Sequence, residues 1–425
     1  MLRKTAFGLC LLSLLWFASV AGAFPQGGEP PPWLAHLLKA SEEHRAKNYP
    51  AALEAARKAA SVGPPRHPEL MFHLARASSL NGHAAESARL LGTLADMGLG
   101  VDVAADDNFK PLRDSGEWAA LSKKIAAART PLVRSRTAFQ IPDPQLLPEG
   151  IAYDARRRAF YLGSIYKSKI VRVDADGRRS DFKASREDGL DSVLGMAADA
   201  RRRLLWVCNN DRAGAAFVHL YDLDSGRLVR KYTLGEGPGP RQANDVVFNR
   251  RGDAYVTDSL GAAVYAIPAE GGEARLLAKL ERGVYPNGIA LSADERRLFV
   301  ANFAGITVID IGRGKQTALA YDEGVAVTGA DGLYLYGNSL VAVQNAHRAP
   351  DRVVRLFFNA AGDRIVRARV LESNHPLYDL PTTGVIVGDE LFYMANTHIQ
   401  SLGPDGKFLP AAKLRDVTVL KLKLK

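Results

Sequence analysis

The sequence predicts an α+β multidomain protein, in which a small all-α helical-repeat domain precedes an all-β six-bladed propeller. Residues 34–126 show the apolar spacing typical of paired amphipathic helices. From residue 141 onwards, a pattern of two short apolar strands joined by a polar turn recurs six times. A hairpin repeated at this spacing is typical of propeller blades, so the helices and the propeller are predicted as separate domains.

The N-terminus has the three parts of a signal peptide. Arg3 and Lys4 form a cationic head, residues 6–20 are mostly apolar, and Ala21-Gly22-Ala23 supplies small residues for cleavage. The apolar run is too short for a spanning helix. We therefore expect residues 1–23 to be removed, a periplasmic or secreted protein, and no transmembrane segment.

Composition restricts the classes of partner and of covalent chemistry. Cys10 and Cys208 are the two cysteines, so cleavage leaves one thiol and no intramolecular disulfide. The net charge is +10, and much of the excess lies in turns at residues 156–158, 201–203, 250–251 and 296–297. These arginines are either solvated turn residues or a basic ring for an acidic partner or membrane surface. Nucleic acid is not expected, because aromatics do not interleave with them.

Residues 24–33 are a Pro/Gly linker, and residues 34–126 follow as the helical domain. Asn48-Tyr49 and Gly82-His83 occupy equivalent positions 34 residues apart. This spacing resembles about two tetratricopeptide repeats, followed by a half-repeat with Phe109, Leu112 and Trp118 as its core. The resemblance implies either capture of a protein or peptide partner or packing against the propeller. Residues 127–140 are predicted to link this domain to the propeller, residues 141–425.

The six hairpins align on one position near the start of each first strand. The aligned residues are Gly150, Gly195, Asp245, Gly288, Gly332 and Gly384, with steps of 45, 50, 43, 44 and 52 residues. These steps fall in the range of a propeller blade. The hairpin is the most apolar pair of each blade, so its first strand is predicted to be innermost. The preceding residue then opens that strand at one mouth of the central channel.

The residues at the predicted mouth are rich in side-chain oxygen. They are Glu149, Leu194, Asn244, Asn287, Asp331 and Thr383. Four of the six carry a carboxylate or carboxamide, and a closed ring of blades would bring them together. Two carboxylates and two amide oxygens suit Ca²⁺ best, with Zn²⁺ or Mn²⁺ as alternatives. Asn287 and Asp331 each precede glycine, so an ordinary turn is the alternative interpretation of these two.

The hairpin openings PEG, ND, PNG and DG resemble a family of calcium-dependent six-bladed propellers. It includes senescence marker protein/regucalcin, gluconolactonases and lactonohydrolases, with paraoxonases as more distant relatives. The resemblance implies Glu149, Asn287 and Asp331 as metal ligands and Asn244 as a ligand or substrate-binding residue. It also implies Asp331 as the candidate general base.

The sequence departs from the family pattern at two positions. Gln242 stands where regucalcin-like lactonases tend to have arginine, and it becomes a candidate substrate-binding residue beside Asn244. Leu194 replaces a paraoxonase-like histidine. His347 and His398 end later hairpins and are candidate catalytic proton shuttles, with loop histidines of no chemical role as the alternative.

Three functions are compatible with these features. The first is an exported metal-dependent hydrolase of lactones or related esters. The second is a non-enzymatic, metal-stabilised propeller whose tetratricopeptide-like domain serves as a protein-binding scaffold. The third, a strictosidine-synthase-like propeller, is disfavoured by the intact Glu149, Asn244, Asn287 and Asp331 set.

Overall fold

The structure is a computed structural model, and it describes residues 30–235, 239–280, 284–345, 348–403, 406–409 and 413–425. The predicted signal peptide, residues 1–23, lies outside the described residues. Within these ranges, every helix is too short or too polar to cross a bilayer.

Six helices form the N-terminal domain, as the periodicity predicts. They are α1 Pro32–Arg45, α2 Tyr49–Val62, α3 Pro68–Leu80, α4 Ala84–Asp96, the short α5 Lys110–Arg113 and α6 Trp118–Ala128. Each of the first three helices has proline at its first or second position, where no intrahelical donor is lost. Phe109 and Leu112 are fully buried, in agreement with the predicted core of the half-repeat.

Six antiparallel sheets follow, and they confirm the predicted propeller. A first strand, β1 Arg136–Ile141, precedes the first blade. Blade one contains β2 Pro148–Asp154, β3 Ala159–Ser164, β4 Ile170–Val173 and β5 Arg179–Lys183. Blade two contains β6 Ser192–Asp199, β7 Leu204–Asn210, β8 Ala216–Asp222 and β9 Leu228–Thr233. Blade three contains β10 Ala243–Phe248, β11 Ala254–Asp258, β12 Ala263–Ile267 and β13 Arg275–Lys279.

The other three blades vary this plan slightly. Blade four contains β14 Ile289–Leu291, β15 Arg297–Asn302, β16 Gly305–Asp310 and β17 Gln316–Ala318. Blade five contains β19 Ala330–Leu335, β20 Ser339–Gln344, β21 Arg352–Phe358 and β22 Arg364–Ser373, with the two-residue β18 Ala320–Tyr321 parallel to β22. Blade six contains β23 Gly384–Val387, β24 Glu390–Met394 and β25 Val417–Lys423.

The last blade closes the ring by using both ends of the propeller sequence. Strand β1 pairs antiparallel with β25, from Ile141 opposite Val417 to Arg136 opposite Lys421. This pairing covers an edge that would otherwise be free. The propeller therefore begins at residue 136, inside the segment predicted as a linker. Only the last residue of β1 is buried, so the strand lacks the apolar alternation that would have revealed it.

The first strand of each blade lines the central channel, as the hairpin pattern predicts. A cavity of about 220 Å³ lies in this channel and is lined by first-strand residues of all six blades. Examples are Ile151, Met196, Val246, Ile289 and Val385. The residue before each aligned position, such as Glu149 near the start of β2 or Asn287 just before β14, consequently lies at one channel mouth.

The arginine-rich turns at the other end of the blades are tied to carboxylates. Arg203 makes two hydrogen bonds to Asp154 of blade one, at 2.8 and 2.7 Å, and a further contact with Asp224. Arg251 pairs with Asp253 at 2.7 Å. Part of the positive charge on this face is thus neutralised within and between blades.

The helical domain packs on the face of the propeller that carries the channel mouth. Trp33, Leu37 and Leu70 form an apolar cluster with Val284 and Phe303. Phe303 follows the end of β15 and its amide donates to Val284 O, which places both residues at the mouth end of blade four. Of the two alternatives left by the sequence, the structure shows packing against the propeller.

Helix α3 lies at the centre of this interface and buries eleven of its thirteen residues. His67, just before α3, donates through Nε2 to Phe303 O at 2.7 Å, and Glu69 pairs with Arg348 at 3.4 Å. The surface of α3 towards the propeller is therefore covered. A peptide partner would have to use another face of the helical domain.

Candidate metal centre at the channel mouth

The mouth residues form a ring because successive innermost strands approach very closely. A Cβ at Gly150 would lie 2.0 Å from Leu194 O, and a Cβ at Gly288 would lie 2.2 Å from Asp331 O. Only glycine allows this separation, which explains its recurrence just after the mouth residue. Thr383 Oγ1 donates to Glu149 O and joins the last blade to the first.

Three side chains of this ring present buried oxygens without a hydrogen-bond donor. They are Glu149 Oε2, Asn244 Oδ1 and Asn287 Oδ1. Across the described ranges, no other buried carboxyl or amide oxygen lacks a donor. Buried polar oxygens are ordinarily satisfied, so three of them at one channel mouth indicate a cation-binding arrangement.

Neighbouring side chains hold these groups in place. Asn244 Nδ2 donates to Ser259 Oγ at 2.8 Å, and Ser259 Oγ donates to Pro286 O at 2.5 Å. Asn345 Nδ2 donates to Asp331 Oδ2 at 2.6 Å and to Pro381 O at 2.8 Å. Asn244 and Asp331 are consequently oriented by hydrogen bonds, as ligands of a metal usually are.

The electrostatics of the ring favour a bound cation. Burial, with the negative charges of Asp331 and Asp245, raises the pKa of Glu149 well above its ordinary value. Burial also raises the pKa of Asp331 to about 6, although hydrogen bonds from Asn345 and Asn287 oppose this rise. Several buried carboxyl groups near one another are difficult to ionise together, and a divalent cation would relieve that cost.

The donor set fits Ca²⁺ because it consists entirely of oxygen. Glu149 and Asp331 would supply carboxylate oxygens, and Asn244 and Asn287 would supply amide oxygens. In the part of the chain that the structure describes, no group of three or more His, Cys, Asp or Glu side chains has the arrangement of a metal site. A metal here would therefore depend on the two amides as well as on the carboxylates.

Comparison with protein families matches the part of the propeller that contains these residues. Residues 147–337, just under half of the chain, match the family model described as SMP-30/Gluconolactonase/LRE-like region. This stretch is similar to that family. It contains Glu149, Gln242, Asn244, Asn287 and Asp331, whereas His347 and His398 lie beyond it.

Several solved structures have a similar fold. A gluconolactonase from Xanthomonas campestris is 16% identical, with 68% of this chain and 95% of that chain covered and a TM-score of 0.48. The PQQ-bound aldose sugar dehydrogenase from Streptomyces coelicolor is 16% identical over 69% and 99%, with a TM-score of 0.48. Virginiamycin B lyase from Staphylococcus aureus is 15% identical over 68% and 98%, with a TM-score of 0.46. No curated protein matches this chain in sequence.

Within the matched stretch, the predicted substrate-binding residue Gln242 contacts a residue that the sequence analysis missed. Gln242 Oε1 accepts a hydrogen bond from the Tyr285 hydroxyl at 3.0 Å. Burial, with the charges of Asp331 and Glu149, raises the pKa of Tyr285 to about 12. The phenol is thus close to the ring, and the aromatic residue just before Pro286-Asn287-Gly288 was the available signal.

Asp245 is a second residue of the matched stretch whose role the sequence analysis missed. It was counted only as the equivalent of the repeat glycine, yet its carboxyl group lines the channel cavity. Its oxygens accept from the amides of Val246, at 2.9 Å, and Ile289, at 3.2 Å. Burial is the main cause that raises the pKa of Asp245 to about 7.

The two candidate histidines beyond the matched stretch have different outcomes. His347 lies outside the described residues. His398 is fully buried, with Nδ1 2.7 Å from Asp379 Oδ2 and with Nε2 accepting from Arg415 N at 3.0 Å. Both ring nitrogens of His398 are engaged with structural partners, so this geometry offers no support for a proton shuttle.

Proposed function

We propose that the chain is an exported metal-dependent hydrolase of lactones or related esters, with its active site at the channel mouth. The observation that carries this proposal is a set of three buried side-chain oxygens that accept no hydrogen bond. They belong to Glu149, Asn244 and Asn287 and lie beside the carboxylate of Asp331. The match of residues 147–337 to the SMP-30/Gluconolactonase/LRE-like region supports a lactonase-type propeller.

Glu149, Asn244, Asn287 and Asp331 would hold the metal, for which Ca²⁺ is the first choice and Zn²⁺ or Mn²⁺ the alternatives. A bound cation polarises a lactone or ester carbonyl and stabilises negative charge on its oxygen. Asn345 orients the Asp331 carboxylate by donating a hydrogen bond to its Oδ2. The cation-binding role of this ring is part of the proposal.

Asp331 is the proposed general base that removes a proton from water. Its pKa of about 6, raised by burial, lies near the range in which a base is effective at neutral pH. Contact with a cation would lower the basicity of this carboxylate, so Asp331 would act as a base only where its contact with the metal is loose. Gln242 and Asn244 are the proposed substrate-binding residues, with the Tyr285 hydroxyl beside Gln242.

The proposed activity is tested with the purified wild type on a panel of lactones and aryl esters, in EDTA and with added Ca²⁺, Zn²⁺ or Mn²⁺. We expect metal-dependent hydrolysis, and a decrease in kcat of about 10²–10⁴-fold in Asp331→Asn. Asp363→Asn, in an exposed turn of the same blade, is the control that should retain activity. A wild type that hydrolyses none of the panel in any of the three metals would contradict the proposal.

A non-enzymatic scaffold is the second candidate function, and a groove on the helical domain favours it. The groove lies between α2 and the turn that joins α3 to α4, and its lining residues include Leu53, Arg57 and His83. It is separate from the covered surface of α3, so a protein partner could reach it. Stabilisation by Ca²⁺ without hydrolysis, together with a partner retained by the full-length chain, would favour this function.

A further inference from the structure

Arg352 connects the helical domain to blade five. It begins β21 and is one of the largest fully buried side chains in the described residues. Its Nη1 donates to Met97 O, just beyond α4, and its Nε donates to Gln344 Oε1, both at 2.7 Å. A helix C-terminus attracts positive charge, so this contact is a specific docking point for the helical domain.

Gln344 extends this connection towards the mouth of the channel. It lies opposite Arg352 in the sheet, and its Nε2 donates to Ala326 O at 3.0 Å and to Thr328 O at 2.7 Å. The segment held in this way leads directly into β19, the strand that carries Asp331. The next residue, Asn345, donates to Asp331 Oδ2.

A second contact supports the segment that carries Asn287. Trp33 and His67 of the helical domain pack against the ring of Phe303, with ring centroids 5.6 and 5.2 Å apart. The Phe303 amide donates to Val284 O at 2.9 Å. Val284 and Phe303 therefore fix the start of the segment that includes Tyr285 and Asn287.

The burial of Arg352 has an energetic cost that suggests a positioning role. Burial lowers the pKa of the guanidinium to about 10, yet it remains charged at neutral pH. Its two hydrogen bonds go to neutral carbonyl oxygens. A buried charge of this kind is weak evidence for stability alone and is better explained by the geometry it fixes.

We propose, on the basis of the metal-dependent site proposed above, that the helical domain positions the ligands of the metal centre and that Arg352 is the positioning residue for Asp331. The domain acts on Asp331 through Arg352 and Gln344, and on Asn287 through Phe303. The ligand geometry of the propeller therefore depends on a domain that supplies none of the four ligands.

The test is the affinity of the full-length protein for Ca²⁺ alone, measured by isothermal titration calorimetry. We expect Arg352→Met to bind Ca²⁺ about 10-fold more weakly than the wild type, because partners of metal ligands typically contribute this much. Arg352→Lys keeps the charge and a donor and should recover part of the affinity. This conservative variant also serves if Arg352→Met fails to fold.

Arg355→Met is the matched control on the same strand. Arg355 donates to Ser339 Oγ and to Leu424 O, both at 2.8 Å, and these contacts lie within the propeller. This variant should lose stability but keep its Ca²⁺ affinity within about twofold, by the same reasoning about metal-ligand partners.

Wild-type affinity in both Arg352 variants, or equal losses in Arg352→Met and Arg355→Met, would overturn the positioning role. A wild type that binds Ca²⁺ but hydrolyses nothing would refute the hydrolase and leave the positioning role in place. A wild type that binds no Ca²⁺ would refute the positioning role, whereas the hydrolase would be refuted only if Zn²⁺ and Mn²⁺ also failed to support hydrolysis.

Discussion

Two buried glutamates of the propeller have opposite environments. Glu372 is fully buried and accepts from the amides of Arg134 and Ser135 at 2.8 Å and from the hydroxyls of Tyr378 and Tyr393. Glu149 is buried at the channel mouth, and its Oε2 has no donor. Glu372 thus stabilises the fold as a carboxylate, whereas Glu149 is costly until it is neutralised or bound to a cation.

We predict that Glu149→Gln raises the melting temperature in EDTA at pH 8 by about 1 °C, corresponding to about 1 kcal/mol for a chain of this length. The pKa of Glu149 is higher in the folded protein than in the unfolded chain. The wild type is therefore not destabilised by Glu149 below the unfolded-state pKa of this group, and it loses stability as pH rises through the folded-state pKa. The gain should therefore disappear near pH 4. In Ca²⁺ the wild type should have the higher melting temperature, because only the wild type keeps the anionic ligand at position 149.

Glu372→Gln is the control for this experiment and should be destabilised in EDTA, because it disrupts a fully hydrogen-bonded carboxylate. A metal-free Glu149→Gln protein that melts below the wild type at pH 8 would contradict the interpretation of Glu149.

Sequence analysis found Glu149, Asn244, Asn287 and Asp331 because one repeated position places them in one ring. Tyr285 is outside that position, in a left-handed turn with φ of 57°, so the repeat gave no reason to select it. The engagement of His398 by Asp379 depends on residues 19 apart in sequence, and a pattern of neighbouring residues does not reveal such a contact.

At the scale of elements, contacts between blades hold the ring closed on the face opposite the channel mouth. Asp154 ends β2, is fully buried and receives two hydrogen bonds from Arg203, which precedes β7. Burial opposes its ionisation, but the hydrogen bonds and the charge of Arg203, together with hydrogen bonds from the backbone amides of Arg156 and Arg157, outweigh burial and lower the pKa of Asp154. The pair therefore joins blades one and two.

We predict that Asp154→Asn lowers the free energy of unfolding at pH 7 by about 3 kcal/mol, because it leaves Arg203 without its buried partner. The stability due to Asp154 is present above its unfolded pKa and is lost as pH falls through its lower folded pKa. Urea unfolding of both proteins from pH 7 down to pH 3 should show a shrinking difference.

Asp224→Asn is the matched control, since Asp224 contacts the same arginine from an exposed position. Exposed ion pairs contribute little to stability because water screens them, so this variant should be nearly as stable as the wild type. Equal losses in the two variants, or a loss for Asp154→Asn that does not change with pH, would contradict the role of the buried pair.

Element prediction succeeded where apolar alternation was strong and failed where it was weak. The central hairpins were visible because their strands are buried on both faces. Strand β1 was assigned to a linker because Ile141 is its only buried residue. Its position in the last blade follows from ring closure, which local sequence does not encode.

At the scale of the whole molecule, two domains share one interface and behave as one body. The apolar cluster of the helical domain includes Ala326 and Ala349 of the propeller, and Arg352 adds a buried hydrogen bond to Met97 O. The docking could not be predicted from sequence, because the paired residues are more than 200 positions apart and follow no periodic pattern.

We predict that differential scanning calorimetry of the full-length protein gives a single transition, because separation of the domains would expose this interface. Arg352→Met should broaden or split the transition, whereas Arg355→Met should lower its midpoint and leave it single. Two well-separated transitions in the wild type would contradict the coupling of the domains.

The most direct test of the metal centre is a crystal structure of the full-length protein grown with Ca²⁺, with anomalous diffraction to identify the cation. We predict one Ca²⁺ at the channel mouth, about 2.3–2.6 Å from oxygens of Glu149, Asn244, Asn287 and Asp331. A channel mouth without a cation at saturating Ca²⁺, or a cation held by other residues, would contradict it.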